Sequence, residues 1–295
     1  MVNVDALPAS DATSVALTAL AEDGDRDVTT EVTGAGDTPM SAAIEYRSGG
    51  IVSGLPYADA VAVAAGCDPI RWSAGEGEAV TAGAVIGIVQ GTFASVLRAE
   101  RPLLNLLQRA CGVANTTFDF VTAVEGTDCR VLHTRKTTPG LRRMELRAVL
   151  AGGGTLHRIG LSDAVMIKDN HWRALDRASV RLGTALAEAR ARGVTMLSVE
   201  AESEAQVRQA CEAGATRLLI DNQTPATVAA LAALARELSP GIEIEATGGV
   251  TLENIRSYAA AGTDFVSIGA LTHSADSADL ALEVTQMQPR PGGRG

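Results

Sequence analysis

Residues 217–271 read RLLIDNQTPATVAALAALARELSPGIEIEATGGVTLENIRSYAAAGTDFVSIGAL, and this stretch decides the fold. Three short apolar runs, 217–223, 242–249 and 264–271, are separated by segments 226–238 and 252–262, whose apolar residues recur at helical spacing. Strands joined through helices, not hairpins, pair in parallel. The pattern extends upstream. CRVLHTR (129–135), DAVMIKDN (163–170) and MLSVEAE (196–202) read as strands, and ASVRLGTALAEARARG (178–193) and EAQVRQACEAG (204–214) as helices. Each strand ends in polar or glycine residues: Arg135-Lys136, Lys168, Glu200, Asp221, Thr247-Gly248-Gly249 and Gly269. An open doubly wound sheet gathers its ligand at one switch point. A closed barrel brings every C-terminal strand end to one mouth, so the pattern predicts an α/β barrel, complete or partly open.

Before this region the chain is mixed. Residues 13–21 predict a short helix, and 41–47, 50–54, 68–74 and 84–91 predict strands separated by glycines. Residues 94–113 have helical periodicity interrupted by Pro102, which predicts a break or kink and a hinge between two domains.

Composition narrows the function classes. The 295 residues are 46% hydrophobic and 20% charged, and no apolar run reaches the ~18 residues needed to span a bilayer, which excludes a membrane protein. The first residues lack the basic and apolar regions of a secretory signal, so a cytoplasmic location is expected. Cys67, Cys111, Cys129 and Cys211 form no CxxC pair, which argues against a disulfide framework or a zinc cluster. A net charge of -10 argues against a nucleic-acid partner. Residues 133–173 nonetheless carry eight cations against three acids, a basic island of +5 within a chain otherwise at -15. Such an island suits a small anionic ligand. The only two lysines, Lys136 and Lys168, both lie in it. They mark places where a compact, flexible ammonium serves better than a planar fork.

Arg135, Lys136, Arg158 and Lys168 supply more charge than one phosphate needs, so the expected ligand carries several anionic groups. Glu200 and Asp221, at successive strand ends, can hold magnesium already bound to phosphates, act as an acid/base pair, or cap the following helices. ATGGV and SIGAL each precede a helical stretch, so Thr247, Gly248, Gly249, Gly269 and Ala270 form a candidate phosphate site. His157, beside Arg158, is either a ligand contact or a structural hydrogen-bonding residue; His171 is open in the same way. Gly152–Gly154 either end a helix or let the backbone approach a ligand.

At these residues the chain resembles the quinolinate phosphoribosyltransferase family, the carboxylating nicotinate-nucleotide pyrophosphorylases. ERPLLNLLQRACGVANTT, TRKTTPGLR, GGGTLHRIGLSDAVMIKDNH, VEAES, LLIDNQTP, EATGGVTLENI and DFVSIGALTHSA occur in the family's order across nearly the whole chain. The resemblance implies an N-terminal α/β sandwich domain (1–115), an α/β barrel domain (116–273) and a C-terminal helix with a disordered tail (274–295). It implies a homodimer with shared active sites, further assembly being open. It also implies a magnesium-dependent reaction of quinolinate with phosphoribosyl pyrophosphate. By motif, Arg135, His157 and Arg158 would bind quinolinate with Arg101 of the partner subunit. Lys136 and Lys168 would lie where both substrates meet, Glu200 and Asp221 would hold ribose hydroxyls and magnesium, and the TGG and GAL turns would take the 5′-phosphate. The chain departs from the family pattern at Cys111, His133, Leu146-Arg147 and Leu156. Those departures leave open another pyridine or aromatic acid as acceptor, and a non-catalytic binding protein is the alternative of a different class.

Overall fold

The computed structural model describes residues Val4–Met287 and divides into two compact units. The first comprises the chain up to Phe118, Thr137–Gly153 and the chain from Ala270 onward; the second comprises Asp119–Lys136 and Gly154–Gly269. The consecutive boundaries expected above are therefore replaced by interleaved ones: Thr137–Gly153, expected in the barrel, packs with the first unit.

In chain order the first unit begins with α1 (Ala12–Glu22), α2 (Val28–Thr33), β1 (Pro39–Tyr46), β2 (Gly50–Ile51), α3 (Leu55–Ala64), β3 (Arg71–Trp72), β4 (Ala79–Val80), β5 (Ala84–Thr92) and α4 (Phe93–Ala123). The second unit opens at β6 (Arg130–Leu132), and α5 (Arg142–Ala151) returns to the first. The barrel continues with β7 (Val165–Ile167), α6 (Asp169–Ala178), α7 (Leu182–Ala191), β8 (Leu197–Glu200), α8 (Glu204–Glu212), β9 (Arg217–Asp221), α9 (Pro225–Leu238), β10 (Glu243–Thr247), α10 (Ile255–Ala260) and β11 (Phe265–Ser267). The short α11 (Ala270–His273) and β12 (Leu280–Met287) complete the first unit.

The first unit is an α/β sandwich whose main sheet runs β12-β1-β5-β3, antiparallel throughout. Residues 280–287 thus form a strand along β1, where a C-terminal helix was expected; Leu280, Leu282 and Val284 alternate as a strand does, and the backbone pairing to Met40–Tyr46 decides the outcome. The expected disorder over 288–295 lies outside the described residues.

Pro102 does not break the chain into two helices: α4 runs through it. An internal proline costs a helix about 3 kcal/mol. Leu103, Leu104 and Leu107 of the same helix are fully buried, and at ~1.5–3 kcal/mol each they outweigh that cost. Gly152 ends α5, and a Cβ there would collide with the Ala114 carbonyl and the Thr117 side chain of α4. The triple glycine therefore serves helix termination and close helix packing.

The second unit is a partly open α/β barrel. Its six strands are all parallel, in the order β6-β11-β10-β9-β8-β7. The last strand, β11, pairs with the first, β6, and β6 also bridges to Thr155, so the wall is interrupted only between Thr155 and β7. Leu197, Val199, Leu218, Ile220, Ile244, Ala246 and Val266 are buried, while the alternate residues Leu219, Asp221, Glu245, Thr247 and Ser267 line one cavity. This is the two-residue period of a strand packed on both faces. Below them Arg217 bonds Glu243 at 2.7 and 2.9 Å and lies 4.0 Å from the Phe265 ring centroid, so an ion pair and a cation–π contact fill the barrel floor.

Candidate active site

A cavity of about 510 Å³ opens among the C-terminal strand ends of the barrel. Arg135 and Lys136 reach it from the segment after β6, Arg158 from the loop after Thr155, and Lys168 from the end of β7. Opposite stand Asp221 at the end of β9 and Thr247-Gly248-Gly249 after β10. The strand periodicity that buries one face turns the other face of each strand into this cavity.

The electrostatics are set for an anion. Burial lowers the Arg158 pKa, and the neighbouring Arg135 lowers it further. A carboxylate or phosphate that enters beside both guanidinium groups relieves that cost. Lys168 Nζ sits 3.2 Å from Glu200 Oε2, which keeps the buried carboxylate paired. Glu200 thereby adjoins the cavity through Lys168 and does not itself line it. The backbone N–H of Lys168 donates to His171 Nδ1, and Trp172 Nε1 donates to the Glu200 carbonyl. His171 is therefore spent on fixing the start of α6 and does not face the cavity.

The glycine turn has a steric cause. Gly248 has φ +81°, and a Cβ there would overlap Asn222 Oδ1 and lie 2.9 Å from the Asn222 nitrogen. Asn222 itself has φ +52°, donates its backbone N–H to the Thr247 carbonyl at 2.9 Å, and donates from Nδ2 to Asp221 Oδ2 at 3.0 Å. A residue in this sparsely populated region is kept where the surroundings over-determine it. Here it ties the orientation of Asp221 to the glycine turn.

Not every expected residue is at the cavity. Gly269 and Ala270 do not line it; Ala270 opens α11 in the first unit. Arg101 lies on α4 of the first unit with an exposed side chain beside Glu100. His157 lines the cavity, yet both ring nitrogens are engaged within the protein: Nδ1 accepts the Arg158 N–H at 2.6 Å and Nε2 lies 3.1 Å from Glu245 Oε2. Of the departures, His133 lines the cavity wall, with Nδ1 donating to the Thr134 carbonyl at 3.0 Å. Leu146 is fully buried, and Arg147 donates to the Val4 and Leu7 carbonyls of the first unit; neither lines the cavity.

Residues 27–111 match the family model for the N-terminal domain of quinolinate phosphoribosyl transferase, and residues 113–283 match that for its C-terminal domain. The chain belongs to the quinolinate phosphoribosyltransferase family. A probable nicotinate-nucleotide pyrophosphorylase [carboxylating] from Bacillus subtilis is 41% identical over 211 residues, 71% of each chain. The human nicotinate-nucleotide pyrophosphorylase [carboxylating] is 34% identical, covering 88% of this chain and 86% of its own. The solved nicotinate-nucleotide pyrophosphorylase of Francisella tularensis superposes with a TM-score of 0.87 at 30% identity, over 96% of this chain and 99% of that one.

Within this cavity, sequence reading missed Glu245, Met166, Leu219 and Ser267, and Arg217 behind them. The signal for Glu245 was present in IEIEATGG. A barrel strand covered by helices outside can place alternating acids only inside.

Proposed function

We propose that this protein transfers the phosphoribosyl group of phosphoribosyl pyrophosphate to quinolinate, giving nicotinate mononucleotide, pyrophosphate and carbon dioxide for NAD biosynthesis. The observation that carries this reading is the convergence of Arg135, Lys136, Arg158 and Lys168 on one cavity, facing Asp221 and the Thr247-Gly248-Gly249 turn. The substrate pair brings two carboxylates, a phosphate and a pyrophosphate. Arg135 and Arg158 suit the carboxylates, because a planar fork matches their geometry. Lys136 and Lys168 suit the junction where the acid meets the departing pyrophosphate. The TGG turn suits the 5′-phosphate.

In this reading the ring nitrogen bonds C1′ of the sugar as the bond from C1′ to the pyrophosphate oxygen breaks. The sugar is cationic at the transition state, so alignment and electrostatics carry the acceleration. The ribosylated, cationic ring nitrogen then stabilises the carbanion left on the adjacent carbon when the carboxylate departs as carbon dioxide, and that carbon takes up a proton. Asp221, which lines the cavity, would meet the ribose hydroxyls and a magnesium ion, and Glu200, a hard oxygen donor on the paired strand, would join it only by parting from Lys168. Among the described residues no group of three or more histidine, cysteine or acidic side chains could hold a metal. The two carboxylates thus suit an ion that shares its shell with substrate phosphates and water. That ion would neutralise charge on the leaving pyrophosphate.

The proposal includes a homodimer in which Arg101 serves the partner's site, and a cytoplasmic location; among the described residues no helix is long and apolar enough to cross a membrane. The test is a mass-resolved assay of purified protein with phosphoribosyl pyrophosphate, magnesium and quinolinate or a panel of pyridine and benzoic acids. Nicotinate mononucleotide formed at ~1 per second or faster supports the reading. Product from another acid alone keeps the donor chemistry and reassigns the acceptor, a result that His133 in the cavity wall would explain. Donor binding without any product would make it a non-catalytic binder.

A further inference from the structure

The parallel ladder between β7 and β8 stops one bond short. Val165 donates its N–H to the Met196 carbonyl, and the bonds of a parallel pair recur evenly at every second residue, so the carbonyls turned toward β7 are those of Met196, Ser198 and Glu200. A longer β7 would meet the Glu200 carbonyl with the N–H of residue 169. The chain turns instead at Lys168 into α6. The donor that arrives is the indole of Trp172, whose Nε1–H reaches the Glu200 carbonyl at 2.8 Å.

That bond closes a ring of three residues. Trp172 donates its backbone N–H to the Lys168 carbonyl at 2.9 Å and its indole N–H to the Glu200 carbonyl, while the Glu200 carboxylate meets Lys168 Nζ at 3.2 Å. α6 has little else to hold it. None of its residues is buried, so no apolar face presses it onto the barrel, and packing is what stabilises most protein helices. Among the described residues, no other hydrogen bond or ion pair joins a side chain of α6 to another element.

We propose that Trp172 is a positioning residue whose indole N–H ties the start of α6 to the Glu200 main chain, so that Lys168 keeps its ammonium at the cavity when the Glu200 carboxylate is drawn away from it. The ion pair alone cannot do this, because a carboxylate that turns to a metal ion releases a long and flexible lysine side chain. A main-chain carbonyl stays in place. Glu200 pairs with Leu219 of β9, and the Ala201 N–H that follows it donates to the Leu219 carbonyl at 2.9 Å. The inference rests on the proposed function for what draws Glu200 away and for the anion that Lys168 meets; the tie between Trp172 and Glu200 does not depend on it.

The first test is nitrogen-15 NMR of the full-length protein labelled at its two tryptophans, Trp72 and Trp172, the Trp172 indole being the signal lost in Trp172→Phe. Its N–H should exchange with water far more slowly than a free indole although the ring is only half-buried, and should stay slow when magnesium and inorganic pyrophosphate are added. Exchange at the rate of a free indole, or release of the N–H by those additions, overturns the proposal. The second test is calorimetric binding of magnesium pyrophosphate and of phthalate to Trp172→Phe, which keeps an aromatic ring and loses the donor. Pyrophosphate binding should weaken about three- to tenfold, the worth of one hydrogen bond, with phthalate affinity within about twofold. In a Lys168→Met background the same replacement should cost pyrophosphate nothing further, because the indole acts through the ammonium. Equal weakening of both ligands, or the same loss without Lys168, is what a purely structural tryptophan gives and overturns the proposal. Failure of the wild type to bind pyrophosphate counts against the proposed function, and the exchange measurement then decides this inference by itself.

Discussion

The ammonium of Lys168 lies 3.2 Å from the carboxylate of Glu200, and the two side chains differ in exposure, 42% against 7%. The exposed partner faces the cavity while the buried one depends on it. Lys168→Met should leave Glu200 uncompensated. Because the lysine is partly solvated, the expected loss of stability is about 1–2 kcal/mol, less than the full cost of breaking a buried pair. With Lys168 in its proposed place beside the leaving pyrophosphate, its removal should lower kcat by ~10²–10³. Denaturant melts and steady-state kinetics check the two parts; unchanged kcat would remove Lys168 from the chemistry.

Arg135 disfavours the charge of Arg158 while no anion is bound. Arg135→Ala should therefore leave the ligand-free Tm unchanged or slightly raised. Loss of a charge-assisted bond worth ~1.5–3 kcal/mol should raise the KM for the acid by about 10- to 150-fold. A marked fall in the ligand-free Tm would show that Arg135 is structural.

Gly248→Ala places a Cβ against Asn222 at a positive φ. The strain should cost more than ~1 kcal/mol and displace the turn. The expected kinetic signature is a higher KM for phosphoribosyl pyrophosphate with the acid's KM little changed. Equal effects on both substrates would argue against a phosphate role for this turn.

Burial would raise the Glu245 pKa, yet the hydrogen bond from His157, the charge of Arg217 and the Ser267 hydroxyl bring it below its ordinary value. A carboxyl depressed in the folded state stabilises the fold fully above its unfolded pKa of about 4.3, and that contribution is lost as pH falls through the folded value. The denaturation midpoint of the wild type should then fall more steeply below about pH 4.3 than that of Glu245→Gln. Parallel curves would contradict the assignment.

The proposed sharing of active sites between subunits makes a prediction about mixtures. Co-expressed Arg101→Ala and Lys168→Met chains, each inactive alone, should form mixed dimers with one intact site each and recover about a quarter of wild-type activity. No recovery in isolated mixed dimers would refute Arg101 acting across subunits.

Much of this was legible in the sequence because all six barrel strands are short apolar runs ending in polar or glycine residues, and each run contains one of the observed strands. α6 escaped notice: it has no buried residue at all, so it shows no apolar stripe to read. Asp221, Lys168 and the TGG turn could be found because they sit at strand ends. Glu245 lies mid-strand, so a search of strand ends passed over it, although the alternating acids of IEIEATGG mark the inward face. The engagement of His157 could not be found, since it depends on Glu245 at a distance of 88 residues along the chain. Pro102 was misread because local backbone cost was weighed without the burial that offsets it.

The pairing of β12 with β1 joins Tyr46 to Leu280 and Met40 to Met287. A ribosome making this chain releases β1 well before its partner strand, with all six barrel strands between them. Until then one edge of the antiparallel sheet presents unpaired N–H and C=O groups, a template for pairing with other chains. The barrel strands, all lying between these two, can assemble first. The sandwich is thus the late and aggregation-exposed step of biogenesis, and loss of the final strand would be felt as poor folding yield before it was felt in catalysis.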